Sequence, residues 1–214
     1  MFYRTDEPHG LGHNPFNALV VPRPIGWIST VDRAGRVNLA PYSFFNAVAY
    51  SPPQVIFSGT GPHGDGGLKD SIQNVADTGA FVCNLVTVDL AAAMNLSSAP
   101  APRGTDEFAL AGLTRVPSRL VAPPRVAESP AHLECELLQI VELATSDPVQ
   151  APNRLVIGKV VGIHIDDAVL TGGLVDMTKL RPLSRLGYMD YAPVLDVFAM
   201  ARPSWPVAGC TVEG

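Results

Sequence analysis

Lys69, Asp70 and Ser71 stand together at the start of a helical pattern, and that placement suits a phosphate. The first turn of a helix leaves backbone N–H groups unpaired at the positive end of its dipole, and a lysine beside them adds a point charge. Asp70 weighs the other way, because an aspartate acting as the cap takes up those same N–H groups. Arg23 lies between Pro22 and Pro24, whose fixed φ stiffens the backbone and can aim a guanidinium at a phosphate; a solvated surface arginine is the ordinary alternative. Trp27, Ser29 and Thr30 share one strand pattern, and Asn38, Ala40, Tyr42 and Ser43 follow on the next. Small and hydroxylated side chains beside strand-end amides and aromatic rings suit a flat heteroaromatic ligand with a polar edge. Ordinary strand composition is the bland reading of the same residues.

Other chemistry is thinly represented. His164, two residues after Gly162 on a long strand, is the one catalytic candidate, although a lone strand histidine is more often structural. His9, His13, His63 and His132 show no HxxxH or HxH spacing, so no metal site is expected. There is no GxSxG elbow and no phosphate-binding GxxxxGK motif. Gly59-Thr-Gly-Pro-His-Gly64 matches GxGxxG and follows a strand, but Asp65-Gly66-Gly67 prolongs the loop and a hairpin precedes it. A dinucleotide fingerprint needs a helix opening within the glycines of a βαβ unit, so a glycine loop is expected here. Arg181-Pro-Leu-Ser-Arg185-Leu-Gly-Tyr188 offers cations to a phosphate or makes a subunit contact, and both readings stay open.

These residues need elements to hold them. Ile25 to Val31 and Arg36 to Ala40 predict a hairpin over 25–41, turned at Asp32-Arg-Ala-Gly35. Gln54–Ser58 and Ala80–Val86 read as buried strands. Between them Asp70 as cap, Gln73 three residues on and the stop at Thr78-Gly79 predict a helix over 70–77. A second short helix is expected over Asp89–Met94 and a helical turn at Thr105–Phe108, within a Pro-, Ser- and Ala-rich excursion over 97–130. Leu133–Leu143 alternates, with Leu133, Cys135, Leu137, Val141 and Leu143 inward and Glu134, Glu136 and Glu142 wet. Leu155–Ile165 is its apolar partner, joined by the loop Ser146–Asn153. The pattern predicts a mainly β chain, an antiparallel closed or partly closed barrel with a few short helices.

Composition agrees. Of 214 residues 47% are hydrophobic and 16% charged, with 19 Gly and 20 Pro. Ordinary usage is about 25% charged and roughly 12% Gly plus Pro, so many short elements joined by turns are expected, and neither a long-helix bundle nor disorder is. One domain over 1–214 is expected, with an N-terminal arm over 1–14 and a C-terminal tail over 201–214. The net charge of −5 disfavours nucleic acid and anionic membranes as partners. No apolar run reaches the roughly 20 residues of a membrane span, and Met1–His13 lacks the apolar core of a signal peptide. Three widely spaced cysteines, Cys83, Cys135 and Cys210, fit reduced thiols in the cytoplasm.

The runs Pro22-Arg-Pro-Ile-Gly-Trp-Ile-Ser-Thr-Val31 and Gly35-Arg-Val-Asn-Leu-Ala-Pro-Tyr-Ser-Phe-Phe-Asn46 together resemble the flavin reductase-like family of FMN-binding split barrels. The likeness continues through Lys69–Asn74, Phe81–Asn84, Glu107–Leu113, Gly158–Asp166 and Arg185–Tyr188. It implies a homodimeric split β-barrel that binds FMN, with FAD as an alternative, near the subunit interface. On that likeness Arg23, Pro24, Ile25, Gly26, Trp27, Ser29 and Thr30, with Asn38, Ala40, Pro41, Tyr42, Ser43 and Phe44, would line the ring and ribityl chain. Ser29, Thr30, Lys69, Asp70 and Ser71 become the phosphate candidates. The implied activity is NAD(P)H-dependent flavin reduction, with a partner monooxygenase or redox protein as acceptor; the alternatives are a flavoredoxin-like electron carrier and an apo interaction domain. One departure stands out: flavin reductases of this family commonly carry Gly-Asp-His before the strand that reads Leu155–Gly158, and this chain has Pro152-Asn153-Arg154.

Overall fold

The structure, a computed structural model, describes residues 1–145 and 152–205. Seven strands form the main sheet: β1 (Gly26–Val31), β2 (Val37–Tyr42), β3 (Phe45–Tyr50), β4 (Pro53–Gly59), β5 (Ala80–Leu85), β6 (Ala131–Glu142) and β7 (Arg154–Ile165). All pairings are antiparallel, in the order β2-β1-β5-β6-β7-β4-β3. The two edges curl toward each other. Tyr42 ends β2 with its ring centroid 5.0 Å from that of Phe57 in β4, and the Ser58 N–H donates to the Phe44 carbonyl at 2.8 Å. The sheet is thus a partly closed, split barrel, the expected fold class. The expected hairpin is β1–β2, and Asp32 fixes its turn by accepting from the N–H groups of Ala34 and Arg36.

Apolar side chains fill the barrel, among them Ile28, Phe57, Phe81, Cys135 and Val156. Helix α1 (Asp70–Thr78) stoppers it with Ile72 and Val75 and ends at Gly79, whose φ of 75° suits glycine. Gly158 on β7 leaves the space that the Phe81 ring occupies; a Cβ there would run into the ring. Gly158→Ala should therefore cost about 1–3 kcal/mol of overpacking, read as a lower midpoint in urea unfolding. An unchanged midpoint would show that Phe81 repacks freely.

A second core lies on the outer face of β1, β2 and β5, where Trp27, Leu39, Val86, Phe108 and Val126 pack together. The expected excursion covers it, and buried polar groups pin it down. Ser29 donates to the Pro124 carbonyl at 2.5 Å, Asn84 accepts from the Val126 N–H at 2.8 Å, and His132 Nε2 donates to the Val126 carbonyl at 2.8 Å. Glu134, expected on a wet face, is fully buried, because the excursion folds over it and the N–H groups of Arg119 and Leu120 donate to its carboxylate. Glu136 and Glu142 do face solvent.

Smaller expectations shift by a residue or two. The second short helix is Ala91–Leu96 behind a 3₁₀ turn at Val88–Leu90, and the helical turn is Glu107–Leu110, capped by Asp106. Strand β3 and a three-stranded sheet of Arg23–Pro24, Leu183–Arg185 and Tyr191–Pro193 were not foreseen. The loop expected over Ser146–Asn153 lies mostly outside the described residues, as do Cys210 and most of the tail. Among the described residues no helix is long and apolar enough to cross a membrane.

Candidate functional site

A cleft of about 760 Å³ runs along the end of β2, between the start of α1 and the hairpin of the three-stranded sheet. Asn38, Ala40, Pro41 and Tyr42 line it from β2, and Ser43 and Phe44 from the bend beyond. Lys69, Asp70 and Ser71 close one end, while Arg23 and Ile25 lie toward the other. Strand geometry, about 3.3 Å per residue, puts roughly 13 Å between Asn38 and Tyr42 along this track. The loop over 59–67 adds Thr60 and His63 to the wall, so the GxGxxG run borders the cleft as a loop.

The α1 end has the features of an anion cradle. Lys69 precedes the helix in an extended conformation, and no side chain caps the first turn. Lys69 is half-buried and lines the cleft, and its ammonium has no hydrogen bond or ion pair among the described residues. The expected capping by Asp70 does not occur. Arg103 pairs with the Asp70 carboxylate and donates to the carbonyls of Gly66 and Leu68, both at 2.6 Å, and so draws the acid away from the helix N–H groups. Asn38 donates to Ser71 Oγ at 2.8 Å, which fixes both side chains at the floor. Burial, opposed by Ser71 and assisted by the charges of Asp70 and Glu107, pushes the Tyr42 hydroxyl up to about 12, so it remains a neutral donor. Burial also raises Glu107, whose carboxylate accepts from the Leu39 N–H at 3.0 Å.

Arg23 lines the cleft and is also tied into the fold. Its side chain is buried, and Nη1 donates to the carbonyls of Asn17 and Val20, at 2.5 and 2.7 Å. Nη2 donates to the Leu186 carbonyl at 3.0 Å, so the guanidinium ties the segment over 17–20 to the C-terminal hairpin. Pro24 pairs with Ser184 in the small sheet, and Gly26 lies under the Phe45 ring. Trp27, Ser29 and Thr30 do not line the cleft. Trp27 donates from Nε1 to Ser97 Oγ at 2.9 Å, Ser29 holds Pro124, and Thr30 Oγ1 accepts from Asn74 at 3.0 Å; all three are fully buried.

His164 also lies away from the cleft. Its Nε2 is 2.5 Å from Glu134 Oε1, beneath the excursion, and its ring meets His132 edge-on with centroids 5.9 Å apart. Among the described residues no group of His, Cys, Asp and Glu is placed to hold a metal ion. Glu107 and Tyr191 line the cleft, and Arg103 braces it through Asp70; none of the three stood out in the sequence as a ligand. The Arg181–Tyr188 run separates cleanly: Arg185 and Tyr188 line the cleft, whereas Arg181 pairs with Asp89 outside it.

A family model described as "Flavin reductase like domain" matches residues 18–184. The chain belongs to the flavin reductase-like family. An uncharacterised protein of Aquifex aeolicus is 39% identical over 174 residues, which cover 81% of this chain and 85% of that one. Among solved structures, nitrilotriacetate monooxygenase component B from Bacillus cereus superposes with a TM-score of 0.83 at 29% identity, covering 94% of this chain and 98% of the other. The 2-nitrobenzoate 2-nitroreductase from Pseudomonas fluorescens gives a TM-score of 0.77 at 26% identity, with 90% and 91% covered. For a flavin reductase-like chain the cleft residues fit a phosphate-bearing flavin. The uncapped helix start with an unpartnered lysine suits its phosphate, and the Ala40–Phe44 track with its hydroxyls and rings suits the sugar alcohol and ring system.

Proposed function

We propose that the chain is an FMN-dependent oxidoreductase, an NAD(P)H:flavin reductase that passes electrons to a partner monooxygenase or redox protein. The observation that carries this reading is the unpartnered Lys69 at the uncapped start of α1, at one end of a track lined by Ala40, Pro41, Tyr42, Ser43 and Phe44. In this role Lys69 and the first N–H groups of α1 hold the phosphate dianion, Asn38 and Ser71 brace that floor, and Phe44 and Pro41 exclude water from the ring. FAD is the alternative flavin. A bound flavin supplies the redox chemistry, and the protein binds, orients and tunes it.

A flavoredoxin-like electron carrier is the second reading, and the Pro152-Asn153-Arg154 segment favours it. Asn153 Oδ1 accepts from the Gly61 N–H at 2.9 Å and Arg154 pairs with Glu142 at 3.0 Å. Arg154 takes the place of the family's usual histidine, and neither Arg154 nor His164 lines the cleft. Anaerobic mixing separates the readings. Yellow protein bleached by NADH or NADPH supports the reductase; bleaching by dithionite alone supports the carrier. Protein without saturable FMN or FAD binding overturns both and leaves an interaction domain.

The reading includes a homodimer working in the cytoplasm, in keeping with the free thiols of Cys83 and Cys135. Strand β3 supports the dimer: it is an outer edge of the sheet with unpaired backbone groups, and it leaves Val48 and Tyr50 exposed at 53% and 92%. Such an apolar edge is normally covered. Replacing both residues with lysine should halve the mass seen by light scattering, and an unchanged dimer mass would move the interface elsewhere.

A further inference from the structure

The cleft has a second cationic end, apart from the Lys69 end to which the proposed function assigns the flavin phosphate. Arg23 and Arg185 are direct partners across an antiparallel strand pair, so two like charges sit opposite each other. That arrangement is unfavourable unless something offsets it. Arg23 is only 8% exposed, yet its hydrogen-bond partners are carbonyls and a hydroxyl, with no carboxylate among the described residues. Burial and the neighbouring Arg185 charge both work against its protonated form. The acids that line the cleft, Asp70 and Glu107, belong to the far end, at α1 and near Asn38.

Aromatic surface accompanies this excess charge. The Arg185 guanidinium lies 4.4 Å from the Tyr191 ring centroid and donates to the Tyr188 carbonyl. Tyr188 and Tyr191 both line the cleft and are 50% and 37% exposed. Tyr188 sits at φ 54°, a left-handed conformation that a non-glycine residue adopts at a cost, and such strain gathers at binding sites. Phe44 adds a third ring, beside Arg23.

We infer that this Arg185–Tyr188–Tyr191 end of the cleft binds a small aromatic carboxylate, held by the planar guanidinium and flanked by the tyrosine rings. The guanidinium fork matches a carboxylate in two-point contact, and rings suit a planar body better than an aliphatic one. This deepens the flavoprotein reading by naming what docks beside the flavin, on the side away from Lys69.

Calorimetric titration with sodium benzoate, on flavin-free and on FMN-loaded protein, tests the assignment. Saturable binding is expected in both, with cyclohexanecarboxylate weaker. Arg185→Gln should weaken benzoate about ten- to a hundredfold, and Arg185→Lys should restore part of it. Arg181→Gln, outside the cleft, should leave benzoate binding intact. The inference is overturned if benzoate shows no saturable binding, or if a folded Arg185→Gln protein binds it as well as wild type. It is also overturned if inorganic phosphate displaces benzoate completely and Arg185→Gln weakens FMN in parallel, because this end then belongs to the flavin phosphate. Benzoate binding that depends on Arg185 in a protein that takes up no flavin would sustain the inference while sinking the flavin reading.

Discussion

Lys69→Ala should raise the dissociation constant for FMN about ten- to a hundredfold, the range for loss of one charge-assisted contact to a phosphate. Fluorescence quenching of titrated FMN measures it. Because Lys69 has no partner among the described residues, its removal leaves no group stranded, and the flavin-free variant should unfold at the wild-type denaturant concentration. Lys69→Arg should recover much of the affinity, and the wild-type advantage should shrink as salt screens the charge. An FMN affinity that ignores the substitution would take the phosphate away from α1 and with it the main support for the proposed function.

Acid should destabilise the fold before it protonates ordinary carboxylates, and His132 is the reason. The ring is buried, and burial, with the charges of Arg125 and His164 assisting and Val126 and Glu134 opposing, lowers its pKa from 6.5 to about 4. Nε2 donates to the Val126 carbonyl and Nδ1 is unpartnered, as suits a neutral ring. The unfolded chain takes up a proton as pH falls through 6.5, while the folded chain does not until about 4. Stability therefore declines across that window, by about 3 kcal/mol in all. Glu134 extends the loss. Burial alone would raise its pKa, but donation from the Arg119 N–H, His164 and the Leu120 N–H holds it below the usual range, so its stabilisation disappears as pH falls further. Urea unfolding at a series of pH values reads both. His132→Gln keeps a donor for Val126 and should flatten the slope between pH 6.5 and 4; an undiminished slope would assign it to other groups.

The strands were legible in the sequence because two-residue alternation and turn residues are local signals. The hairpin over 25–41, the strands near 54–58, 80–86 and 133–143, and the helix over 70–77 each appear within a few residues of expectation. The failures depend on distant chain. Glu134 alternates like its wet neighbours, and only residues 119 and 120, folding back over β6, make it a buried acceptor. Asp70 has the sequence of a cap, but Arg103, in a proline-rich stretch with no periodicity, claims its carboxylate. Ser29 and Thr30 look like ligands by their hydroxyls, yet the sheet turns both into the cores. The cleft was half legible: the stretch from Asn38 to Phe44 and the Lys69–Ser71 step were visible as runs, whereas Arg185 and Tyr191 join them through a small sheet that no local pattern announced.

The walls of the cleft come from Asn14 at one extreme of the chain and Tyr191 at the other, with Lys69, Ser97 and Glu107 between. No contiguous fragment contains more than part of it. Closing so many long loops is slow and entropically costly, so the cleft is complete only when the last long-range pairing has formed. A ligand held there recognises the finished chain alone, and its binding free energy adds to global stability through mass action instead of strengthening one local region. Ligand occupancy then doubles as a folding reporter: a nick or substitution far from the cleft weakens binding in step with the fraction of chains it unfolds.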